Sequence, residues 1–133
     1  MFVDTGAWIA LALLQDPLHA AAREQWEMLQ RAGARLHTSI PVVIETFTFL
    51  DRNARRDVAL SWKASALDPP SAVTMLTCEK NDLEEAWTYF RRTDLHKLSL
   101  ADATSFAIMK RMRISVAFAF DHHFAMAGFR LVA

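Results

Sequence analysis

Residues 1–14 read MFVDTGAWIALALL, and this stretch decides the fold class. It begins with a short apolar run that stops at Asp4, which predicts a strand ending in a carboxylate. Residues 7–14 form a longer apolar segment that predicts a buried helix, ended near Asp16 and Pro17. The chain therefore starts with a strand that leads directly into a helix.

The same alternation of strands and helices continues along the chain. Further strands are predicted at residues 36–39, 72–76, 116–120 and 130–132. Helices are predicted at residues 18–33, 40–52 and 57–67, after caps at Thr77 and Ser99, and briefly after Asp121. Short apolar strands that alternate with helices indicate a parallel sheet covered on both faces. We expect one α/β domain over residues 1–133, an α/β/α sandwich with a mostly parallel central sheet.

The composition is typical of a single soluble domain. Of the 133 residues, 53% are hydrophobic, and fifteen basic and fifteen acidic side chains cancel. Without a net charge, any affinity for nucleic acid must come from local cationic clusters or bound cations. The single cysteine, Cys78, cannot form an internal disulfide, which favours a reducing compartment. No apolar run is long enough to cross a bilayer, and no basic residue precedes Asp4 as in a signal peptide. We therefore expect a cytoplasmic protein with no membrane association.

Two of the predicted strands end in an acid. Asp4 follows the first strand, and Asp121 follows the run at residues 116–120. In open parallel sheets, ligands bind beyond the carboxyl ends of the strands, so both carboxylates are expected at the mouth of one crevice. The structural alternative is that each Asp only starts a loop or caps the helix that follows.

Two further carboxylates lie on predicted helices. Glu45 shares a helix face with Val42 and Phe49, so we expect it to be partly desolvated, unless it reaches water at the boundary. Asp102 ends the segment Ser99-Leu100-Ala101-Asp102, which fits the S-x-x-[DE] capping pattern and has a sufficient local explanation. The connection before this helix is nevertheless able to bring Asp102 to the same crevice.

Convergence of these acids would require a cation. Four carboxylates that meet raise one another's pKa values unless a positive charge neutralises them. Oxygen ligands select Mg²⁺ or Mn²⁺ rather than zinc. Such an ion lowers the pKa of a bound water and stabilises charge on a phosphoryl oxygen, which phosphodiester hydrolysis requires. The hydroxyls of Thr5, Ser99 and Thr104 are close enough in sequence to orient water or a ligand.

Four segments resemble, in order and spacing, the acidic motifs of PIN-domain nucleases. They are residues 2–11 (FVDTGAWIAL), 39–45 (SIPVVIE), 98–103 (LSLADA) and 119–124 (AFDHHF). The resemblance spans essentially the whole chain, and single-domain members of this size are most often toxins of the VapBC type.

This resemblance implies an activity and two partners. The expected activity is that of a Mg²⁺- or Mn²⁺-dependent ribonuclease, with Thr5 in contact with the metal or its water shell. The implied catalytic and metal-binding residues are Asp4, Glu45, Asp102 and Asp121. The implied partners are an RNA substrate and an antitoxin protein whose helix or tail covers the acidic centre.

Two positions depart from the family pattern. Gly6 stands where a second small hydroxyl residue is frequent, and His122 stands where another acid often follows the fourth Asp. The second departure affects a second metal position, so the number of bound ions, one or two, stays open.

Other functions have less support in the sequence. The pair His122-His123 suggests zinc, but adjacent side chains are expected to point in different directions, and no further ligand follows at zinc spacing. The chain has no G-x-S-x-G elbow and no phosphate-binding glycine loop. A phosphatase with an aspartyl nucleophile would need an acid where Gly6 stands. A catalytically silent interaction module on the same scaffold is the alternative from another class.

Basic and aromatic residues indicate possible binding surfaces. Basic residues cluster at 52–56, 91–97 and 110–113, and Arg91, Arg92 or Lys97, near the third motif, is the hypothesised contact for RNA phosphates. The alternative is that these clusters are solvated helix ends. Trp62 has little obvious cover, so a homodimer or a groove for a partner protein is expected there.

Overall fold

The computed structural model of the chain describes residues 1–132, and residue 133, the last of the predicted domain, lies outside the described residues. The sheet contains β1 (Phe2–Val3), β2 (Leu36–Ser39), β3 (Val73–Leu76), β4 (Val116–Phe118) and β5 (Arg130–Val132). The strands lie in the order β3-β2-β1-β4-β5, and each neighbouring pair is parallel. The predicted α/β class and parallel sheet are therefore confirmed.

Pairs of helices connect the first four strands, and a single short helix connects β4 to β5. The helices of the described residues are α1 (Thr5–Ala12), α2 (His19–Arg31), α3 (Ile40–Asn53), α4 (Arg56–Ala66), α5 (Lys80–Phe90), α6 (Leu100–Arg111) and α7 (His123–Met126). Because parallel crossovers are right-handed, α1 to α4 cover one face of the sheet, and α5 and α6 cover the other. Within residues 1–132, no helix combines the length and the apolar character that a membrane crossing needs.

The order of the strands reverses at β1. The chain runs outward from β1 through β2 to β3 and then returns to β4, so Phe2 pairs with His37 of β2 on one side and with Ala117 of β4 on the other. In open α/β sheets, such a reversal opens a crevice at the carboxyl ends of the strands, where ligands bind. Asp4 directly follows β1 and stands at this point.

Aromatic side chains fill the core on both faces of the sheet. On one face, the ring of Trp8 lies 5.5 Å from Trp26 and 5.8 Å from Trp62. On the other face, the ring of Phe106 lies 4.9 Å from Phe124 in an edge-on arrangement. Rings packed in this way stabilise the fold by area burial and, at about 0.5–1.5 kcal/mol per pair, by their geometry.

Two hydrogen bonds connect this core to the central strand. The indole Nε1 of Trp8 donates to Thr38 Oγ1 at 3.2 Å, and that hydroxyl donates to the carbonyl of Val3 at 3.0 Å. All three residues are fully or almost fully buried. The last residue of β1 is thereby held from the side of α1 and β2, one position before Asp4.

The helix α1 begins two residues earlier than the sequence predicts. Asp4 caps it, with Oδ2 accepting a hydrogen bond from Gly6 N at 3.5 Å, so the helical conformation starts at Thr5. The helix ends at Ala12 rather than at residue 14 because Leu13 adopts an extended conformation. The predicted strand at 116–120 is likewise shorter, since β4 ends at residue 118 and two residues then lead to Asp121.

The predicted cap at Thr77 is wrong. The helix α5 begins at Lys80, because Glu79 and Asp82 form a reciprocal capping box in which Asp82 Oδ2 accepts from Glu79 N at 2.8 Å. Asp82 is buried and also binds the guanidinium of Arg111 at 3.0 Å. This ion pair joins the start of α5 to the end of α6.

Candidate active site

Asp4 is an almost fully buried carboxyl group at the end of the central strand. Its backbone N–H donates to Phe118 O at 3.0 Å, and its Oδ2 accepts from Gly6 N. Its Oδ1 is buried without a hydrogen-bond partner in the described structure. Burial raises the pKa of Asp4 to about 7; N–H groups of α1 oppose this rise, and the charges of Glu45 and Asp121 add to it. Within residues 1–132, no Lys or Arg forms an ion pair with Asp4.

Thr5, the residue after Asp4, carries a second side-chain oxygen without a partner in the described structure. The residue is buried, and its Oγ1 has no hydrogen-bond partner within the described residues. A Cβ at Gly6 would lie 3.9 Å from Asp4 Oδ2, an ordinary contact distance, so the missing hydroxyl residue is not sterically excluded. Buried oxygens without partners are costly, and a bound cation or its water is one way to satisfy them.

Asp102 is brought to the site by the start of α6. Ser99 caps this helix and accepts from Asp102 N at 3.0 Å, which is one half of the predicted capping box. The carboxyl of Asp102, however, hydrogen-bonds to Asp121. Burial raises the pKa of Asp102 to about 8, and the charges of Asp4 and Glu45 contribute to this rise. A local cap therefore does not account for this acid.

Asp121 differs from these two acids because its surroundings favour the ionised form. Burial opposes ionisation, but the backbone N–H of His123 donates to Asp121 Oδ1 at 2.9 Å, and the Asp102 carboxyl and the His123 ring contribute further. The pKa of Asp121 is lowered as a result.

Glu45 approaches the site from α3. Ser39 caps this helix, accepting from Val42 N at 3.3 Å. Glu45 is half-buried, which confirms the expected partial desolvation, and it borders an apolar groove that includes Ile44 and Phe49. The charge of Glu45 contributes to the raised pKa values of Asp4, after β1, and Asp102, at the start of α6.

The structure brings the four predicted acids to one electrostatic cluster at the crevice beside β1. The four acids are Asp4, Glu45, Asp102 and Asp121. Within residues 1–132, no Lys or Arg forms an ion pair with any of them. Their spacing is open: the described side chains whose potential ligand atoms all lie within 4.8 Å of one another are Asp121, His122 and His123, and no three of the four acids are that close.

The histidine pair lies closer to the acids than the sequence predicts. The expectation that adjacent side chains diverge is wrong here, because the rings of His122 and His123 lie 4.5 Å apart. His123 is buried, its Nε2 donates to His96 O at 2.7 Å, and its Nδ1 lies 2.8 Å from Asp121 Oδ1. Because Nε2 donates to a carbonyl, Nδ1, which has no hydrogen bond within the described residues, is the ring nitrogen left as a potential ligand atom beside Asp121.

The sequence reasoning missed the role of His123 as a partner of Asp121. The available signal was the Asp-x-His spacing at residues 121–123. An Asp side chain commonly accepts a hydrogen bond from the backbone N–H two residues later, which here fixes the following side chain beside it.

The donor set of the four acids fits a hard divalent cation. All of these groups offer oxygen atoms, as does Thr5, and two buried oxygens have no partner among the described residues. The raised pKa values of Asp4 and Asp102 reflect negative charges gathered in a poorly solvated place. A bound cation would relieve both conditions.

Two of the basic clusters are partly neutralised at helix ends. Arg56 pairs with Asp51 at 2.8 Å, and Arg111 is held by the buried Asp82. Arg56 begins α4 and Arg111 ends α6. These contacts agree with the interpretation that the two clusters are basic helix ends rather than RNA-binding sites.

Trp62 is better covered than the sequence predicts, yet the predicted groove is present. Its side chain is buried because Trp8 packs against it. The helices α1, α2 and α4 line a cavity of about 900 Å³ that includes Trp8, Trp26 and Trp62, with Arg23 and Glu27 among its polar residues. The indole nitrogen of Trp62 is buried without a partner in the described part of the chain.

Known proteins resemble this chain over almost its whole length. The PIN domain family model matches residues 1–130. Two relatives from Mycobacterium tuberculosis, strains CDC 1551 / Oshkosh and ATCC 25618 / H37Rv, are both named 23S rRNA-specific endonuclease VapC20. Each is 38% identical over 130 residues, which cover 97% of this chain and 95% of the relative. The crystal structure of M. tuberculosis VapC20, described as a sarcin-ricin loop cleaving toxin, matches with a TM-score of 0.82 and 34% identity, covering 96% of this chain and 95% of that one.

Proposed function

Because the chain belongs to the PIN-domain family and resembles its VapC toxins, we propose that it is a metal-dependent endoribonuclease, the toxin component of a VapBC-type pair. The observation that supports this proposal is that the four acids act on one another electrostatically, while no Lys or Arg in residues 1–132 forms an ion pair with any of them. A bound cation would give a phosphoryl oxygen a positive partner in a site whose own charges are all negative.

We infer that the ion is Mg²⁺ or Mn²⁺. The four acids would hold it, and Thr5 would contact the ion or its water shell. The support is the all-oxygen donor set and the unpartnered Asp4 Oδ1 and Thr5 Oγ1. When bound, such an ion supplies a Lewis acid for a phosphoryl oxygen and a water molecule of lowered pKa.

The residues of the chain contribute position and charge. Asp4 is fixed at the end of β1 by two backbone hydrogen bonds, so its carboxylate is preorganised rather than mobile. Asp121 accepts a hydrogen bond from the backbone N–H of His123, and its pKa is lowered, so it favours the ionised form.

The test of this function is the cleavage of RNA by the purified protein in Mg²⁺, in Mn²⁺ and in EDTA. We expect cleavage only with a divalent ion, and its loss in Asp4→Asn, which removes a charge at nearly constant volume. A circular dichroism spectrum establishes that the variant is folded. Full activity of the folded Asp4→Asn protein would refute the proposed site.

A second measurement separates the enzyme from a silent interaction module. Calorimetry with Mn²⁺ is expected to show binding to the wild-type protein. The control carries amides in place of all four acids. Binding no stronger than that of the control, together with the absence of cleavage, would favour the silent module.

We propose a structured ribosomal RNA loop as the substrate class. The support is that the relatives in M. tuberculosis are named as a 23S rRNA-specific endonuclease and a sarcin-ricin loop cleaving toxin. Such a substrate would place the activity in the cytoplasm, and the free thiol of Cys78 is compatible with a reducing compartment. Comparing a sarcin-ricin hairpin with an unstructured RNA of equal length tests this choice.

We propose that the cavity lined by Trp8, Trp26 and Trp62 receives an antitoxin helix. A cavity of about 900 Å³ with an apolar floor and charged residues at its border suits the two faces of an amphipathic helix. The buried indole nitrogen of Trp62 would gain a partner from such a ligand. Quenching or shift of tryptophan fluorescence on addition of the cognate antitoxin would support this assignment, and an unchanged spectrum with intact binding would exclude it.

We further propose that the chain forms a homodimer through the apolar groove beside Glu45. Ile44 is 61% exposed, Phe49 38% and Leu100 41%, and all three line this groove. Exposed apolar groups that cluster in this way commonly mark a protein interface. Light scattering at micromolar concentration is expected to give twice the monomer mass.

A further inference from the structure

One buried imidazole lies between the acidic cluster and the loop that precedes α6. His123 Nε2 donates to the carbonyl of His96 at 2.7 Å, while Nδ1 lies 2.8 Å from Asp121 Oδ1. Only 6% of His123 is exposed, so water competes little with these contacts. His123 therefore connects the two segments: its backbone N–H donates to Asp121 Oδ1 at 2.9 Å, and its ring donates to the backbone of residue 96.

The next residue in this loop is Lys97. It is exposed, and its backbone has a left-handed conformation with φ of 57°, which is unfavourable for a residue with a Cβ. No acid forms an ion pair with Lys97 in the described part of the chain. The ammonium group is thus an available cation on a backbone position fixed by His123.

The neighbouring cation Arg92 is not available in the same way. Its guanidinium donates to Asp94 at 3.0 and 2.6 Å and to the carbonyl of Met126 at 3.0 Å. These bonds tie the loop to the end of α7. Of the loop cations in the sequence hypothesis, Arg92 is therefore structural, and Lys97 is the one that stands next to the anchored carbonyl.

An RNA that enters this crevice meets a strongly negative centre. Even with one divalent ion, four carboxylates leave an excess of negative charge, so a cation at the rim is needed to hold the phosphates that flank the cleaved bond. We propose that Lys97 contacts such a phosphate, and that His123 is a positioning residue that fixes the Lys97 loop against Asp121. This inference rests on the proposed ribonuclease function.

The first experiment measures how RNA affinity depends on salt in Lys97→Gln. The probe is a fluorescein-labelled sarcin-ricin RNA hairpin, with binding followed by anisotropy in EDTA and cleavage followed in Mg²⁺ at several NaCl concentrations. Loss of one phosphate contact should make the slope of log affinity against log salt shallower by about 0.7–0.9. We expect KM to rise roughly tenfold at moderate salt with little change in kcat, as for a contact made equally in the bound and transition states.

Arg113→Gln is the matched control. Arg113 is the other non-glycine residue of the described chain with positive φ, 56°, and it is also exposed and basic. It follows the C-terminal end of α6, whereas Lys97 precedes the N-terminal end, so the two are separated by about 18 Å of helix at 1.5 Å per residue. Arg113→Gln removes one positive charge, as Lys97→Gln does, and this variant should have the same salt slope and KM as the wild-type protein.

The second experiment tests the positioning role of His123 without metal. Hydrogen exchange in EDTA is expected to become faster across residues 91–98 in His123→Gln and to stay unchanged in the strands β2 and β3. In a double-mutant cycle on RNA affinity, His123→Gln should cost little in a protein that already carries Lys97→Gln, because both variants remove the same contact.

The outcomes separate this inference from the ribonuclease proposal. A wild-type protein that cuts the hairpin while Lys97→Gln retains its salt slope and KM would overturn the role of Lys97. Unchanged exchange at residues 91–98 in His123→Gln would overturn the positioning role. A wild-type protein that neither binds nor cuts any RNA would overturn the proposed function, and this inference with it.

Discussion

Replacing Asp4 with Asn should make the metal-free protein more stable while abolishing its activity. The pKa of this carboxyl is raised from 3.8 to about 7, first by burial and further by Glu45 and Asp121. A raised pKa in the folded state means that the stabilising proton is fully present below pH 3.8 and is lost as the pH rises through about 7. Wild-type protein in EDTA should therefore lose stability between about pH 4 and pH 8.

The magnitude follows from this difference in pKa. A difference of about 3 corresponds to about 4 kcal/mol at about 1.4 kcal/mol for each tenfold change. This value is already net of the backbone hydrogen bonds from Thr5 and Gly6, which lower the pKa. We therefore expect Asp4→Asn to raise the free energy of unfolding by about 4 kcal/mol at pH 8, and by close to zero at pH 4.

Urea unfolding followed by circular dichroism, in EDTA at pH 4.5 and pH 8, measures this effect. Asp82→Asn is the matched control, because Asp82 is as buried as Asp4 but is paired with Arg111. Asp82→Asn removes the carboxylate that holds the partly exposed Arg111, which should lower the free energy of unfolding by about 1–3 kcal/mol at pH 8, the opposite sign. If Asp4→Asn is no more stable than the wild type at pH 8, the charge at Asp4 is already neutralised within the protein, and the argument for a cation site loses its basis.

Other predictions follow from single features of the structure. Saturating Mn²⁺, at about 100 times its dissociation constant, should stabilise the wild-type protein by about 2.7 kcal/mol in urea and leave Asp4→Asn almost unchanged. Lys97→Gly should raise the free energy of unfolding by about 0.5–1 kcal/mol because it relieves the left-handed backbone, yet weaken RNA binding; a loss of stability would show that the conformation is not strained. Gly6→Ser should fold normally and gain about 0.5 kcal/mol in thermal or urea unfolding, since its Cβ meets no close atom; a clear loss would contradict the open space at this position. Phe49→Lys should give a monomer by light scattering without unfolding the chain, and a persistent dimer would place the interface elsewhere.

The acids at strand ends were accessible from the sequence, whereas those on helices were not accessible from local patterns alone. Asp4 and Asp121 follow apolar runs, and parallel strands present their carboxyl ends to one crevice. Glu45 and Asp102 reach that crevice through the placement of α3 and α6, which depends on long-range packing. Glu45 and Asp102 were predicted as site residues because the four acidic motifs occur in the order typical of the family. By itself, the S-x-x-D pattern that ends at Asp102 favours a local helix cap.

The errors at the boundaries have local physical causes. The cap at Thr77 is displaced because a Glu and an Asp can form a capping box together, and the long-range partner Arg111 reinforces it. The diverging histidines were expected from ideal geometry, but His122 lies just before a short helix rather than within one. The contact of His123 with His96 joins residues 27 positions apart, which no local pattern reveals.

The hydrogen bonds from Trp8 to Thr38 and from Thr38 to Val3 give one tryptophan two roles. It lines the cavity proposed to receive an antitoxin helix, and it is bonded to the chain immediately before Asp4, a proposed metal ligand. A substitution at Trp8 that weakens antitoxin binding would therefore also loosen the chain at Val3, next to Asp4. Divergence of pairing specificity is consequently expected at the rim of the cavity, in positions such as Arg23 and Glu27, while the indole itself stays constant.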